Sequence, residues 1–345
     1  MLVYIIYLMF NKKQFLIAEV GLAHEGSLGI AKSFAKIAKI NGADAVKFQH
    51  HNYEFESSKN EKFRKKFSNQ DKNRSDYWKR TSFSINEWKN LKKYCDKIQI
   101  KFICSPFSIE SAKELNKIGL FAWKIASGEF NNLPLIEYII KNSNKPIILS
   151  TGLTTTKEIK KITNILKSNK KEFALLQCTS KYPSKIEEVG HDLIEVFKKT
   201  FNCKVGISDH SGNINSLLLS LSINADLLEF HITYDKNFFG PDVIASITPN
   251  ELKFLSTFRD DIHKTKGIKT NKNHINNDQK KMLKLFSKSL YAKYDIKKND
   301  KITINNLKFL KPGDGISAMN YKKIIGKKKS KLIKKNNQIK LSDLI

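Results

Sequence analysis

Eight short apolar runs are spaced along the chain, and each ends in a residue with chemistry to offer. Phe15-Leu16-Ile17-Ala18 leads to Glu19, Ala45-Val46 to Lys47 and Gln49, Phe102-Ile103-Cys104 to Ser105, and Phe121-Ala122-Trp123 to Lys124 and Ser127. Further on, Ile147-Ile148-Leu149 leads to Ser150 and Thr151, and Ala174-Leu175-Leu176 to Gln177 and Ser180. Val205-Gly206-Ile207 leads to Ser208 and His210, and Leu227-Leu228 to Glu229 and His231. Continuous apolar runs of this length read as parallel strands buried on both faces, with helical periods between them. Right-handed crossovers then make either a doubly wound sheet or a closed ring. Eight strand–helix units closed in a ring put every strand end on one face, where a (β/α)8 TIM barrel keeps its chemistry. A structural protein has little reason to set Glu, Lys, Ser and His there on nearly every strand. The expectation is an α/β barrel that is an enzyme.

Helical periods are expected at about 27–41, 84–97, 109–118, 133–141, 156–168, 192–200, 213–223 and 249–264. Capping boxes mark several starts: Ser84 with Glu87, Thr155 with Glu158, and Thr248 with Glu251 behind Pro249. Residues 265–281 are polar and basic, with no apolar period, and read as a linker. Beyond it, 288–294 and 301–304 read as short strands and 311–316 as a turn. The division is therefore a barrel over 1–264, a linker over 265–281 and a small C-terminal domain over 282–345, too small for a large core of its own.

At 345 residues the chain has room for both, and 40% hydrophobic content supplies the core. Its formal charge of +29 would ordinarily point to nucleic acid or an anionic surface. Only Arg64, Arg74, Arg80 and Arg259 are arginines, however, so the excess is lysine, abundant alongside Asn and Ile as A/T-rich coding would produce. The basic residues also lack the aromatic interleaving of RNA-binding surfaces. No nucleic-acid partner is expected. The cysteines Cys95, Cys104, Cys178 and Cys203 show no paired spacing, which fits a reducing cytoplasm. The apolar opening MLVYIIYLMF is too short to span a bilayer and lacks signal-peptide flanks, so no membrane association is expected and an N-terminal strand or extended start is.

The segment between Gln49 and Ser84 exceeds thirty residues, carrying aromatics that include Tyr53, Phe55, Phe63, Phe67, Tyr77 and Trp78 and three of the four arginines. Long ordered loops in compact domains tend to be lids or binding segments. A substrate or subunit contact and a mobile surface loop are the two readings of it.

Lys47 and Lys124 converge at strand ends with Ser105, Ser127, Ser150, Ser180 and Ser208, a set suited to a phosphate or carboxylate dianion. His210 and His231 end neighbouring strands, where two imidazoles can bind one divalent cation. His24, His50 and His51 also lie near the rim. Glu19, Glu129, Glu229 and Asp242 are candidate acids and bases. Glu129 is expected to be held as a carboxylate by Lys124, and Glu229 to act by orienting a metal ligand.

Nine segments closely resemble the sialic acid (N-acetylneuraminate) synthase family: IAEVGLAHEGSL at 17–28, DAVKFQ at 44–49, FICSPF at 102–107, WKIASGEFNNLPLI at 123–136, KPIILSTG at 145–152, LLQCTSKYP at 175–183, VGISDHSG at 205–212, LLEFHITYDK at 227–236 and GPDVIAS at 240–246. The tail, with SLYAKYDIKKNDKIT at 289–303 and KPGDGIS at 311–317, is similar to the family's SAF (antifreeze-like) domain. The resemblance implies a manganese-dependent condensation of phosphoenolpyruvate with an N-acetylated amino sugar, with Mg²⁺ the alternative metal. It implies that Lys47, Ser105, Lys124, Ser127, Ser150, Ser180 and Ser208 cradle phosphoenolpyruvate and that His210 and His231 hold the metal. Glu19, Glu129 and Lys124 would be catalytic, and Gln49, Tyr182, Asp242 and Lys311 would meet the sugar. It also implies a homodimer with exchanged C-terminal domains.

Two departures affect sugar specificity and leave the reaction class standing. Lys311 replaces the arginine common before Pro-Gly in the tail motif, and lysine cannot reproduce a guanidinium fork. Ser180 stands where some members carry Asn. The leading substrate is N-acetylmannosamine, giving N-acetylneuraminate and phosphate. The alternative is a diacetamido-trideoxyhexose, giving legionaminate or pseudaminate. More remote are a metal-dependent pyruvate aldolase, which needs no phosphate cradle, and a polyanion-binding protein on an inactive barrel.

Overall fold

A computed structural model describes residues 13–58, 61–63 and 66–345. The apolar opening segment and Arg64 lie outside the described residues. The chain divides into two compact units, the first running to Lys266 and the second covering Gly267–Ile345.

In the first unit the apolar runs form β1 (Phe15–Gly21), β2 (Ala45–His50), β3 (Lys101–Pro106), β4 (Ala122–Ile125), β5 (Ile147–Ser150), β6 (Phe173–Cys178), β7 (Lys204–Asp209) and β8 (Leu227–Ile232). They pair in parallel in sequence order, and β1 pairs with β8 to close the barrel. A two-residue strand, β9 (Ser246–Ile247), extends the edge of β8. Helices Leu28–Ile40, Ile85–Lys97, Ile109–Ile118, Leu133–Asn142, Thr156–Ser168, Leu193–Phe201, Ile214–Ser222 and Pro249–Thr265 follow β1 to β8 in turn, and all three expected capping boxes are formed.

The packing has two layers of apolar side chains. A large cluster, including Phe34, Trp88, Trp123, Ile136 and Leu252, fills the space between strands and helices. A second cluster of Ile17, Ala45, Ile103, Ala122, Ile148, Ala174, Leu176 and Leu227 fills the barrel interior. Strand side chains alternate with a period of two, so the residues two further along face the same way. Those residues are Glu19, Lys47, Ser105, Lys124, Ser150, Cys178 and Glu229. On β7 the inward position below Ser208 is Gly206, where a Cβ would lie 1.9 Å from the Leu227 carbonyl oxygen. The strands therefore pass from apolar to reactive in a single inward step, on an apolar floor that excludes water from below.

The second unit has its own core of Leu290, Ala292, Ile296, Ile302, Leu307, Ile324, Ile333 and Ile339. Its hairpin pairs β10 (Ser289–Ala292) with β11 (Leu307–Leu310) in antiparallel fashion. Two expectations are corrected here. The segment expected as a plain linker ends in a helix, Asn277–Phe286, started by a capping box between Asn276 and Gln279. The strand expected at 301–304 is displaced to 307–310, because Lys301 makes only a single bridge, to Lys328, and Ile304 begins a tight turn. Among the described residues no helix is long and apolar enough to cross a membrane, and all four cysteines are free thiols.

Candidate active site

The polar layer above the barrel floor is an ion network. Lys47 Nζ lies 2.7 Å from Glu19 Oε2 and 3.5 Å from Glu229 Oε1. Lys124 Nζ lies 3.3 Å from the same Glu229 oxygen and donates to Ser150 Oγ at 2.7 Å. Ser208 Oγ donates to Glu229 Oε1 at 3.1 Å. All four charged side chains are almost wholly buried, which would cost several kcal/mol per ion without such partners. Burial pushes the Glu229 carboxyl up, but the Lys124 and Lys47 ammoniums outweigh it and hold the group down as a carboxylate. Burial likewise lowers Lys47, yet Glu19 and Glu229 together raise it. Lys124 stays lowered: burial leads, and the neighbouring Lys47 charge adds to it against Glu229. Its ammonium is the one that gains most from an arriving anion.

Several hydroxyls in this layer face the same space. Ser105 Oγ is fully buried without a partner, as is Glu229 Oε2. Ser127 Oγ donates to Cys178 Sγ at 3.3 Å, and Ser180 Oγ lies 4.0 Å from that sulfur. A Cβ on Gly152 would come 2.4 Å from Ser180 Oγ and 2.9 Å from both Ser127 Oγ and Cys178 Sγ. The absent side chain thus leaves the hydroxyls a small cradle. The expected phosphate ligands Lys47, Ser105, Lys124, Ser127, Ser150, Ser180 and Ser208 all come from consecutive strand ends of this face.

His210 and His231 are brought together, with ring centroids 5.4 Å apart. His210 Nδ1 donates to the Thr179 carbonyl at 2.9 Å, which leaves the Nε2 lone pair outward. That lone pair accepts from the Tyr182 hydroxyl at 2.9 Å, the phenol ring stacking on the imidazole at 4.0 Å. Burial and the His231 ring push His210 down to about 3, so it is neutral at physiological pH. Asp242 Oδ2 stands 3.9 Å from His231 Nδ1. A buried neutral imidazole with its tautomer fixed from behind, beside a second imidazole, fits a divalent cation. Among the described residues no cluster of three His, Cys, Asp or Glu has metal-holding geometry, so the remaining ligands would be water and substrate oxygens.

Gln49 stands beside Glu19, its Nε2 donating to Glu19 Oε1 at 2.8 Å. Glu129 departs from expectation. It lies in the tight turn Ser127–Glu129 after β4, while Lys124 points into the barrel toward Glu229. Burial therefore raises its carboxyl, opposed by the amide of Asn132 at 2.7 Å, and no lysine holds it down. Lys311 belongs to the second unit, with its ammonium 5.1 Å from the centre of the Phe286 ring.

The rim histidines separate. His50 faces outward, bonded to Glu114 at 2.7 Å, and His24 is buried against Phe83. His51 faces the site, bonded to Gln49 Oε1 at 3.1 Å. The described part of the long loop holds two helices, Tyr53–Glu56 and Arg74–Thr81. Its two described arginines are engaged by carboxylates: Arg80 grips Asp71 at 2.8 Å and Glu25 at 2.9 Å, and Arg74 pairs with Glu61. Both guanidiniums thus serve to tie the described part of the loop down.

Glu229 and Gly152 are the residues whose weight the sequence reading underrated. Glu229 lies two positions before His231 on the same strand, and that alternation would have placed both on the inner face. Gly152 carries no signal of its own, since its role depends on three side chains from two other loops.

The NeuB family model matches residues 34–271, and the SAF domain model matches 287–345. The chain is 37% identical over 335 residues to the N,N'-diacetyllegionaminic acid synthase of Campylobacter jejuni, covering 95% of this chain and 99% of that protein. It is 32% identical over 338 residues to the pseudaminic acid synthase of the same organism, covering 96% and 97%. Among solved structures, the N-acetylneuraminic acid (sialic acid) synthetase of Leptospira borgpetersenii in complex with citrate superposes with a TM-score of 0.66. That match has 30% identity and covers 79% of this chain and 91% of the other.

Proposed function

This chain belongs to the NeuB family, and from that membership we propose that it condenses phosphoenolpyruvate with an N-acetylated amino sugar to give a nonulosonic acid and phosphate. One observation carries the reading: two buried lysines converge on Glu229 above an apolar floor, at strand ends that also carry five serines. An aldolase using free pyruvate has no need of a phosphate cradle. A polyanion-binding protein has no need of buried charges.

In this reading Lys47, Ser105, Lys124, Ser127, Ser150, Ser180 and Ser208 hold the phosphate and carboxylate of phosphoenolpyruvate. Such charge-assisted hydrogen bonds are the strong ones. His210 and His231 hold a divalent cation, Mn²⁺ in our proposal and Mg²⁺ as the alternative, which supplies Lewis acidity toward the sugar aldehyde. Glu129, Asp242, Tyr182 and Gln49 bind the open-chain sugar and place its carbonyl carbon before C3 of phosphoenolpyruvate. The new carbon–carbon bond leaves C2 electron-deficient. Glu19, steadied by Gln49 and Lys47, positions the water that adds there, and phosphate departs with cleavage of its C–O bond. Protons balance when one from the added water passes by way of Glu19 or its neighbours to the former aldehyde oxygen, and the second leaves the C2 hydroxyl for the departing phosphate as the keto group forms.

The proposal includes a homodimer in which Lys311 of one copy reaches the sugar bound by the other, and a cytoplasmic location consistent with four free thiols. N-acetylmannosamine is the leading sugar. A diacetamido-trideoxyhexose is the second reading, favoured by the 37% identity to a diacetyllegionaminic acid synthase over nearly the whole chain. Phosphate release measured with each sugar in turn separates them. A kcat/KM at least about tenfold higher for one sugar, or roughly 1.4 kcal/mol in transition-state binding, assigns the substrate. Release with neither overturns the reading.

A further inference from the structure

The site is joined to the long loop by a chain of hydrogen bonds whose polarity depends on one proton. Glu19 Oε1 accepts from Gln49 Nε2 at 2.8 Å, and Gln49 Oε1 lies 3.1 Å from His51 Nε2. His51 Nδ1 in turn lies 2.7 and 2.8 Å from the two carboxyl oxygens of Glu56. The imidazole is clamped between Phe107 at 4.1 Å and Trp78 at 4.8 Å, so it cannot turn over. An amide oxygen only accepts, so His51 Nε2 must carry a hydrogen in this arrangement. With a neutral ring, Nδ1 is then an acceptor, and Glu56 must be a carboxylic acid donating to it.

Resting on the synthase reading above, we propose that Glu56 and His51 are positioning residues that lock the Gln49 amide with its N–H toward Glu19, and release that lock when the pair loses its shared proton. Without the proton, the hydrogen on His51 moves to Nδ1 to meet the Glu56 carboxylate. Nε2 then presents a lone pair to Gln49 Oε1, acceptor against acceptor. Turning the amide over relieves that contact and sets the amide oxygen against Glu19, so no orientation of Gln49 satisfies both neighbours.

The surroundings set where this happens. Burial raises Glu56 to about 8, with Arg74 pulling it down, Glu61 pushing it up and His50 pulling it down. Glu129 also faces it. Burial lowers His51 well below its ordinary value, with His50, Arg74 and Lys47 adding to this and Glu19 opposing. Both side chains of the pair are under a tenth exposed. The proton therefore resides on Glu56 below about pH 8 and leaves to solvent above it.

The test is the pH dependence of kcat/KM for the amino sugar, from about pH 6.5 to about 9.5, in wild type, Glu56→Gln and Glu56→Ala. Wild type is expected to fall above about 8. Glu56→Gln, whose amide N–H donates to Nδ1 at every pH, should keep neutral-pH activity and lose that fall. Glu56→Ala should drop at least about tenfold throughout, with the KM for phosphoenolpyruvate changed less than about threefold. The same alkaline fall in Glu56→Gln, or an unimpaired Glu56→Ala, overturns the proposal. Nitrogen-15 NMR of histidine-labelled wild type reads the tautomer without turnover. A bare Nε2 on His51 at neutral pH, with the hydrogen on Nδ1 alone, overturns the lock whatever the activity, whereas Nε2–H in a protein that releases no phosphate would count against the synthase reading alone.

Discussion

Oε1 of Glu229 lies 3.3 Å from Nζ of Lys124, and the same oxygen takes Lys47 at 3.5 Å and the Ser208 hydroxyl at 3.1 Å. One carboxylate oxygen thereby holds both ammoniums of the site in place from the centre of the barrel. Glu229→Gln keeps the shape and removes the charge that keeps two buried lysines protonated. We expect about 3 kcal/mol less stability in urea unfolding and a turnover reduced at least about 100-fold. Unchanged stability would mean that water reaches the layer.

Lys47→Met tests the cradle itself. The side chain is about the same length, and the charge-assisted contact it removes is of the class that contributes about 1.5–3 kcal/mol. The expected result is a KM for phosphoenolpyruvate raised about 10- to 100-fold, with the KM for the sugar nearly unchanged. Steady-state kinetics varying each substrate separately provides the check.

Gly152→Ala places a methyl where three side chains converge, 2.4 Å from Ser180 Oγ and 2.9 Å from Ser127 Oγ and Cys178 Sγ. Gly152 has no positive φ, so backbone strain does not contribute. The neighbours must move, at a cost of about 1–3 kcal/mol in stability. Phosphoenolpyruvate binding, measured by calorimetry, should weaken at least about tenfold.

His24 makes stability depend on pH. Burial, with His51 adding to it, holds it at about 3 against the ordinary 6.5. The unfolded chain therefore binds more protons below 6.5, and the stability His24 contributes is present above that pH and lost as pH falls toward 3. Between pH 7.5 and 5 the loss amounts to about 2 kcal/mol. Urea unfolding of wild type and His24→Gln at the two pH values checks it, the variant losing correspondingly less.

The barrel was legible in the sequence because its signals are local. Each strand is a continuous apolar run, and Ser84, Thr155 and Thr248 announce their helices through side-chain bonds to residues three positions away. The lysines and serines of the cradle were legible because they follow those runs directly. What escaped depends on contacts between distant segments. Glu129 looked close to Lys124 along the chain, but the strand aims the lysine inward and the turn carries the glutamate away. Glu56 and His51 make sense only once Trp78 and Phe107 close on the ring from two sides. The helix from Asn277 was hidden in a lysine- and asparagine-rich stretch where only its cap distinguished it.

The measurement that bears most directly on the account is phosphate release by chelator-stripped protein from phosphoenolpyruvate labelled with ¹⁸O in its C2–O–P bridge. It is run with and without Mn²⁺ and with N-acetylmannosamine or the diacetamido sugar. The account predicts release only when metal and one sugar are both present, with the label leaving in the phosphate because the C–O bond breaks. Release that needs no sugar, label retained in the organic product, or no release from folded protein with any combination would contradict it.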